Sequence, residues 1–150
     1  MLHGTKNQKL LGDDAGCFAH ALWAVRTFGG VLEHPEGSHA FRYYGLPLPP
    51  QKGQWTAPDI YGGVSACVAQ GHYGHRAQKL TWLYGVKIKT PQLIWGRCEG
   101  KVRLEDGFHS KEHRAQHIKT ERCERIKSDE RHLTPIDFRD LLIGIVGNKP

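Results

Sequence analysis

Two short clusters in this 150-residue sequence combine side-chain types that do chemistry. Glu33 and His34 stand between the apolar pair Val31-Leu32 and Pro35. Proline offers no amide hydrogen to a ladder and restricts the residue before it, so a short buried strand from Val31 ends here. A carboxylate and an imidazole, the side chains most used for general acid–base transfer, then sit at its exit. The second cluster is Gly71-His72-Tyr73-Gly74-His75-Arg76, followed by Lys79. His72, His75, Arg76 and Lys79 are donors of the kind that position phosphates. Plainer readings stand beside these: Glu33 as a carboxylate that caps a loop or pairs with an arginine, His34 as a turn residue with a local hydrogen bond, and His75 as a cap on the next strand. A third set, His109, His113 and His117, recurs every fourth residue, with Cys123 and His132 beyond it. On a helix these three imidazoles share a face, as zinc ligands do, but the segment is charge-dense and carries no thiol pair, so no metal site is assigned. The four cysteines, Cys17, Cys67, Cys98 and Cys123, include no Cys-x-x-Cys pair and are expected to be reduced thiols.

These residues need elements to hold them. Asp13 or Asp14 can cap a helix whose apolar positions Phe18, Leu22, Val25 and Phe28 follow helical spacing, with Gly29-Gly30 as its stop. Ser38 to Tyr44 reads as a short helix ended by Gly45, and Leu46 to Asp59 as a loop rich in proline, glycine and polar residues. Val64–Val68 and Thr81–Val86 read as strands that flank the His72–Lys79 loop. Lys111 to Arg125 alternates charge signs and suits a solvated helix. Thr134 as N-cap with Pro135 at the first helical position starts a closing helix, with Phe138, Leu141, Leu142, Ile145 and Val146 as its apolar stripe. The expected architecture is α/β or α+β, a small mixed sheet flanked by helices. Residues 1–11 form an arm, 12–96 a core, 97–131 a charged insertion and 132–150 a packing helix.

Composition is that of an ordinary globular domain, 39% hydrophobic and 24% charged. No run approaches the ~20 apolar residues of a spanning helix and the start lacks an apolar leader, so a cytoplasmic protein with no membrane partner is expected. The net charge of +6 is unevenly spread: residues 39–96 hold six Lys or Arg, among them Arg42 and Lys52, against Asp59 alone. Nine of the fourteen aromatic residues share that stretch. Cations neutralise phosphates and flat rings stack on bases, so a nucleic-acid partner is expected there, against the plainer view of core rings and solubilising charges.

Three stretches carry a resemblance: Gly29-Gly30-Val31-Leu32-Glu33-His34-Pro35, Gly71-His72-Tyr73-Gly74-His75-Arg76-Ala77-Gln78-Lys79-Leu80-Thr81-Trp82-Leu83-Tyr84, and Leu133-Thr134-Pro135-Ile136-Asp137-Phe138-Arg139-Asp140-Leu141-Leu142. In order and spacing they resemble the carboxyl-terminal half of phage and prophage DNA methyltransferase-like proteins, over most of residues 12–146. The resemblance implies part of a Rossmann-like domain, with Glu33 and His34 as catalytic candidates at the pocket of an extruded base. It implies DNA contacts from His72, His75, Arg76, Lys79, Arg42 and Lys52. A carboxylate at a strand exit can hold the polar edge of a base or protonate a ring nitrogen. The glycine-rich turn after a strand that binds S-adenosylmethionine is missing, and Gly12-Asp13-Asp14-Ala15-Gly16-Cys17 follows no strand. The Pro-Cys or Pro-Pro catalytic loop is missing too. This chain alone is therefore expected to bind no cofactor, and S-adenosylmethionine only if a partner polypeptide or an oligomer supplies the other half. The alternative is a non-catalytic phage protein that inhibits a host defence through protein or nucleic-acid binding.

Overall fold

The computed structural model describes residues 14–50, 53–102, 126–127 and 129–147. Helix α1, Cys17–Phe28, begins where the Asp14 carboxylate accepts the backbone N–H groups of Gly16 (3.0 Å) and Phe18 (2.8 Å). It buries Phe18, Leu22 and Val25 and stops at Gly29, whose φ of 85° suits a residue without Cβ. Phe28, expected on the buried stripe, is exposed and packs edge-on against Trp23. Strand β1, Gly30–Pro35, follows at once, then the five-residue helix α2, His39–Tyr43, capped by the Ser38 hydroxyl, which accepts from Ala40 N–H. Strand β2 is Val64–Ala69, a 3-10 turn covers Gln70–Tyr73, and β3 is Leu80–Val86. A further 3-10 turn, Glu130–His132, precedes the closing helix α3, Ile136–Val146. Pro135 occupies the cap position of α3 where Thr134 was expected, and the predicted stripe is only partly buried: Phe138 and Ile145 are covered, Val146 is exposed.

The order across the sheet is β1-β3-β2, and both pairings are antiparallel. The fold is thus a small α+β unit with three helices, and the expectation of a mixed sheet is corrected. The reason lies in the connections. The short link from β2 to β3 can only return the chain antiparallel, and β3 then occupies the place between β1 and β2 where a parallel pair would have formed. Strands β1 and β2 still run in the same direction, held apart by β3.

Alternation along the strands splits the core in two. Leu32, Trp82, Tyr84 and Val86 face α1 and α2 and pack with Phe18, Leu22, Val25 and Phe41. Ala66, Val68 and Leu83 face the other way and meet Phe138 and Ile145 of α3, with Leu93 beneath the loop after β3. Both faces of the sheet are therefore covered by helix. Two residues of the expected charged insertion, Val102 and Ile126, are buried with Ala77 in a small cluster of their own. The expected helix over Lys111–Arg125 and the arm over residues 1–11 fall outside the described residues.

At the open edge, Glu36 N–H donates to Leu80 O at 3.1 Å and extends the β1–β3 register. Every second residue of β1 therefore bonds to β3, while Val31 and Glu33 turn their main-chain groups outward. Pro35 falls in the outward set, where its missing N–H costs no ladder bond. Among the described residues, no helix is long and apolar enough to cross a membrane.

Candidate functional site

Glu33 lies in β1 opposite Leu83, exposed, on the α3 side of the sheet. Its Oε1 accepts a hydrogen bond from Gln70 Nε2 at 3.0 Å, and the same Nε2 lies 2.8 Å from Thr81 Oγ1. A carboxylate only accepts, so the amide must turn its nitrogen toward Glu33. Gln70 is fully buried because it directly follows β2: its N–H donates to Lys79 O at 3.0 Å and its carbonyl accepts from His75 N–H at 3.1 Å. A buried, doubly anchored side chain thus orients an exposed carboxylate. Lys79 stands nearby with φ of 39° and donates from Nζ to Leu133 O at 3.1 Å. Partial burial pulls its pKa down, and the Glu33 charge acts in the opposite direction.

His34, next to Glu33 in sequence, points to the opposite face. It meets the Phe18 ring edge-on at 5.1 Å, and its Nδ1 is buried with no partner among the described residues. Burial holds its pKa below the usual value, against the pull of Glu33 and Asp14. The structure therefore does not bring Glu33 and His34 into one site.

The loop between β2 and β3 directs most of its polar side chains to partners within the chain. His75 is buried, its Nδ1 accepts from Ala77 N–H at 3.0 Å, and desolvation lowers its pKa. Its ring thus holds the turn before β3 instead of facing solvent. His72 Nε2 lies 3.3 Å from Gly96 O, and Arg76 pairs with Glu130 at 2.9 Å. Arg42 is exposed on α2, and Lys52 lies outside the described residues.

A cavity of about 500 Å³ opens on the α1–α2 side of the sheet. Arg42, Arg97, Glu36, Cys67 and Trp82 line it, with Leu48-Pro49-Pro50 as one wall. Burial, reinforced by Glu36, pushes the Cys67 thiol up to about 11, although a hydrogen bond with Trp82 and the Arg97 charge act the other way. At neutral pH it is a protonated thiol and a poor nucleophile. Sequence reasoning missed Gln70, Arg97 and Trp82. The alternation of β3 could have placed Trp82 beside Cys67, but nothing in the sequence brings Arg97 across to Arg42.

Among the described residues, no three His, Cys, Asp or Glu side chains group to hold a metal ion. His109, His113, His117 and Cys123 fall outside those residues, and His132 is exposed in its 3-10 turn. Comparison with profiles of known families, with curated proteins and with solved structures finds no significant match.

Proposed function

We propose that this chain is the substrate-side half of a phage-type DNA methyltransferase-like protein. It binds nucleic acid, presents Glu33 to a base, and relies on other polypeptide for S-adenosylmethionine. The observation that carries the reading is the Glu33 carboxylate within edge strand β1, exposed yet held by the buried Gln70 amide at 3.0 Å. An acceptor fixed before the base arrives needs no reorganisation when it accepts a hydrogen bond from an exocyclic amino group or shares a proton with a ring nitrogen.

Helices cover both faces of the sheet, as they would in a larger layered domain, although its pairing is antiparallel throughout and not the parallel pairing of a Rossmann-like domain. The outward main-chain groups of Val31 and Glu33 offer an edge on which further strands of the cofactor half would pair. A non-catalytic inhibitor of host defence is the second reading. It is favoured by the engagement of Arg76 with Glu130 and of Lys79 with Leu133 O, which leaves less of the 72–79 loop for phosphate.

The test is fluorescence anisotropy with duplex and single-stranded oligonucleotides over rising salt. Contact with two or three phosphates predicts a slope of log affinity against log salt of about −2 to −3 on duplex. Glu33→Gln should weaken binding to an oligonucleotide with an unpaired base more than to a perfect duplex, and calorimetry should show no S-adenosylmethionine binding by the chain alone. Absence of DNA binding at low salt, or binding indifferent to both salt and Glu33→Gln, overturns the reading.

A further inference from the structure

We propose that the cavity beside Trp82 is a nucleotide pocket, in which Arg42 and Arg97 take a phosphate and the Trp82 indole takes the ring. This goes beyond the reading above, because the pocket lies on the face of the sheet opposite the Glu33 side chain and needs no methyl transfer.

Its volume of about 500 Å³ is within the range of small-ligand sites and admits one nucleotide. Arg42 and Arg97 line it, and the side chain of neither makes a hydrogen bond or ion pair with a described residue. Arg76 and Arg139, by contrast, are paired with Glu130 and Asp140. Two guanidinium groups on one cavity, unpaired among the described residues, each offer forked donors matched to phosphate oxygens. Trp82 is 8% exposed and packed on Phe41, with ring centroids 5.3 Å apart, so it gives the wall a small, fixed aromatic margin against which a ring can rest. Glu36, which lines the same cavity, repels a bare anion but accepts a hydrogen bond from the amino group of a base. Cations, ring and carboxylate together suit a nucleotide better than an inorganic ion, which would use the cations alone. The prolines Pro49 and Pro50 stiffen one wall and reduce the ordering needed on binding.

The same chemistry is offered by a free mononucleotide and by one nucleotide of a single strand, and the experiment separates them. The full chain is titrated by calorimetry with deoxynucleoside monophosphates, with a short single-stranded oligonucleotide and with inorganic phosphate. In parallel, alkylation of Cys67 by iodoacetamide at mildly alkaline pH is followed by peptide mass spectrometry, with the exposed Cys17 as internal reference. The expected result is saturable binding of a nucleotide, free or in a strand, that slows alkylation of Cys67 but not of Cys17. The Arg42→Gln/Arg97→Gln variant, checked as folded by circular dichroism, should lose at least about tenfold in affinity, the worth of one charge-assisted hydrogen bond. Protection by mononucleotides identifies a free-nucleotide site, and protection by the oligonucleotide alone identifies a strand contact. No saturable binding by either, protection equalled by inorganic phosphate, or unchanged affinity in the double variant overturns the proposal. Protection equalled by inorganic phosphate, or unchanged affinity in the double variant, leaves the Glu33 reading untouched, since that rests on the other face and is tested separately by duplex binding and Glu33→Gln.

Discussion

Replacing Gln70 by Leu removes the one amide that orients Glu33. The side chain is fully buried and its Nε2 serves two acceptors, Glu33 Oε1 at 3.0 Å and Thr81 Oγ1 at 2.8 Å. The bond to the hydroxyl contributes about 1 kcal/mol, and the one to the carboxylate about 1–2 kcal/mol once the exposure of Glu33 is allowed for. Against this, Leu also removes Gln70 Oε1, which is buried with no partner among the described residues, and that returns about 1 kcal/mol. The net loss should be about 1–2 kcal/mol, or about 2–8 °C in Tm for a chain of this size. Urea unfolding of the wild type, Gln70→Leu, Glu33→Ala and the double variant measures the coupling, expected at about 1–2 kcal/mol with an unchanged m value. Oligonucleotide affinity in Gln70→Leu should fall toward that of Glu33→Gln, because the carboxylate remains but is no longer held. A coupling within about 0.3 kcal/mol of zero would refute the claim that Gln70 positions Glu33.

Two further outcomes can be checked directly. Gly63 leaves no room for a side chain, since an added Cβ would fall within the Tyr84 phenol. Gly63→Ala should displace that hydroxyl from Asp59, to which it donates at 2.9 Å, and cost about 1–3 kcal/mol in urea unfolding. Tyr84→Phe, which removes the hydroxyl, should lessen the penalty of the alanine. Stability should also fall on mild acidification, because burial lowers the pKa values of His34 and His75 in the folded state. The unfolded chain then binds protons that the folded chain refuses, so stability present above the ordinary histidine pKa of about 6.5 is lost as pH drops through the folded values. His34→Leu should flatten that slope, and an equal pH dependence in the variant would show that His34 does not carry it.

Much of the local structure was legible because it rests on short-range rules. Helical spacing of Phe18, Leu22 and Val25, the glycine stop at Gly29, the Ser38 cap and the β-branched and aromatic run into Val86 are each set by neighbours a few residues apart. Phe28 departed from the stripe because a spacing rule cannot tell how far around a helix the core extends. The 3-10 turn at Gln70–Tyr73 was readable only as a turn, yet it is this turn that buries Gln70.

By itself the sequence determined the strand exit at Glu33-His34-Pro35, the concentration of cations and rings in residues 39–96, and the existence of the strands and of the first and last helices. These follow from proline chemistry, charge and periodicity, which act along the chain. Only the tertiary structure decided that β3 threads between β1 and β2, that Glu33 and His34 face opposite layers, and that Gln70 reaches across 37 residues to hold Glu33. It likewise decided which cations are spent inside the chain, Arg76 on Glu130 and Lys79 on Leu133, and brought Arg42 and Arg97 onto one cavity. The physical reason is the same in each case. Strand alternation turns adjacent residues to opposite sides, and the pairing register brings distant ones together, so the membership of a site is settled by which strands pair rather than by which residues are neighbours in sequence.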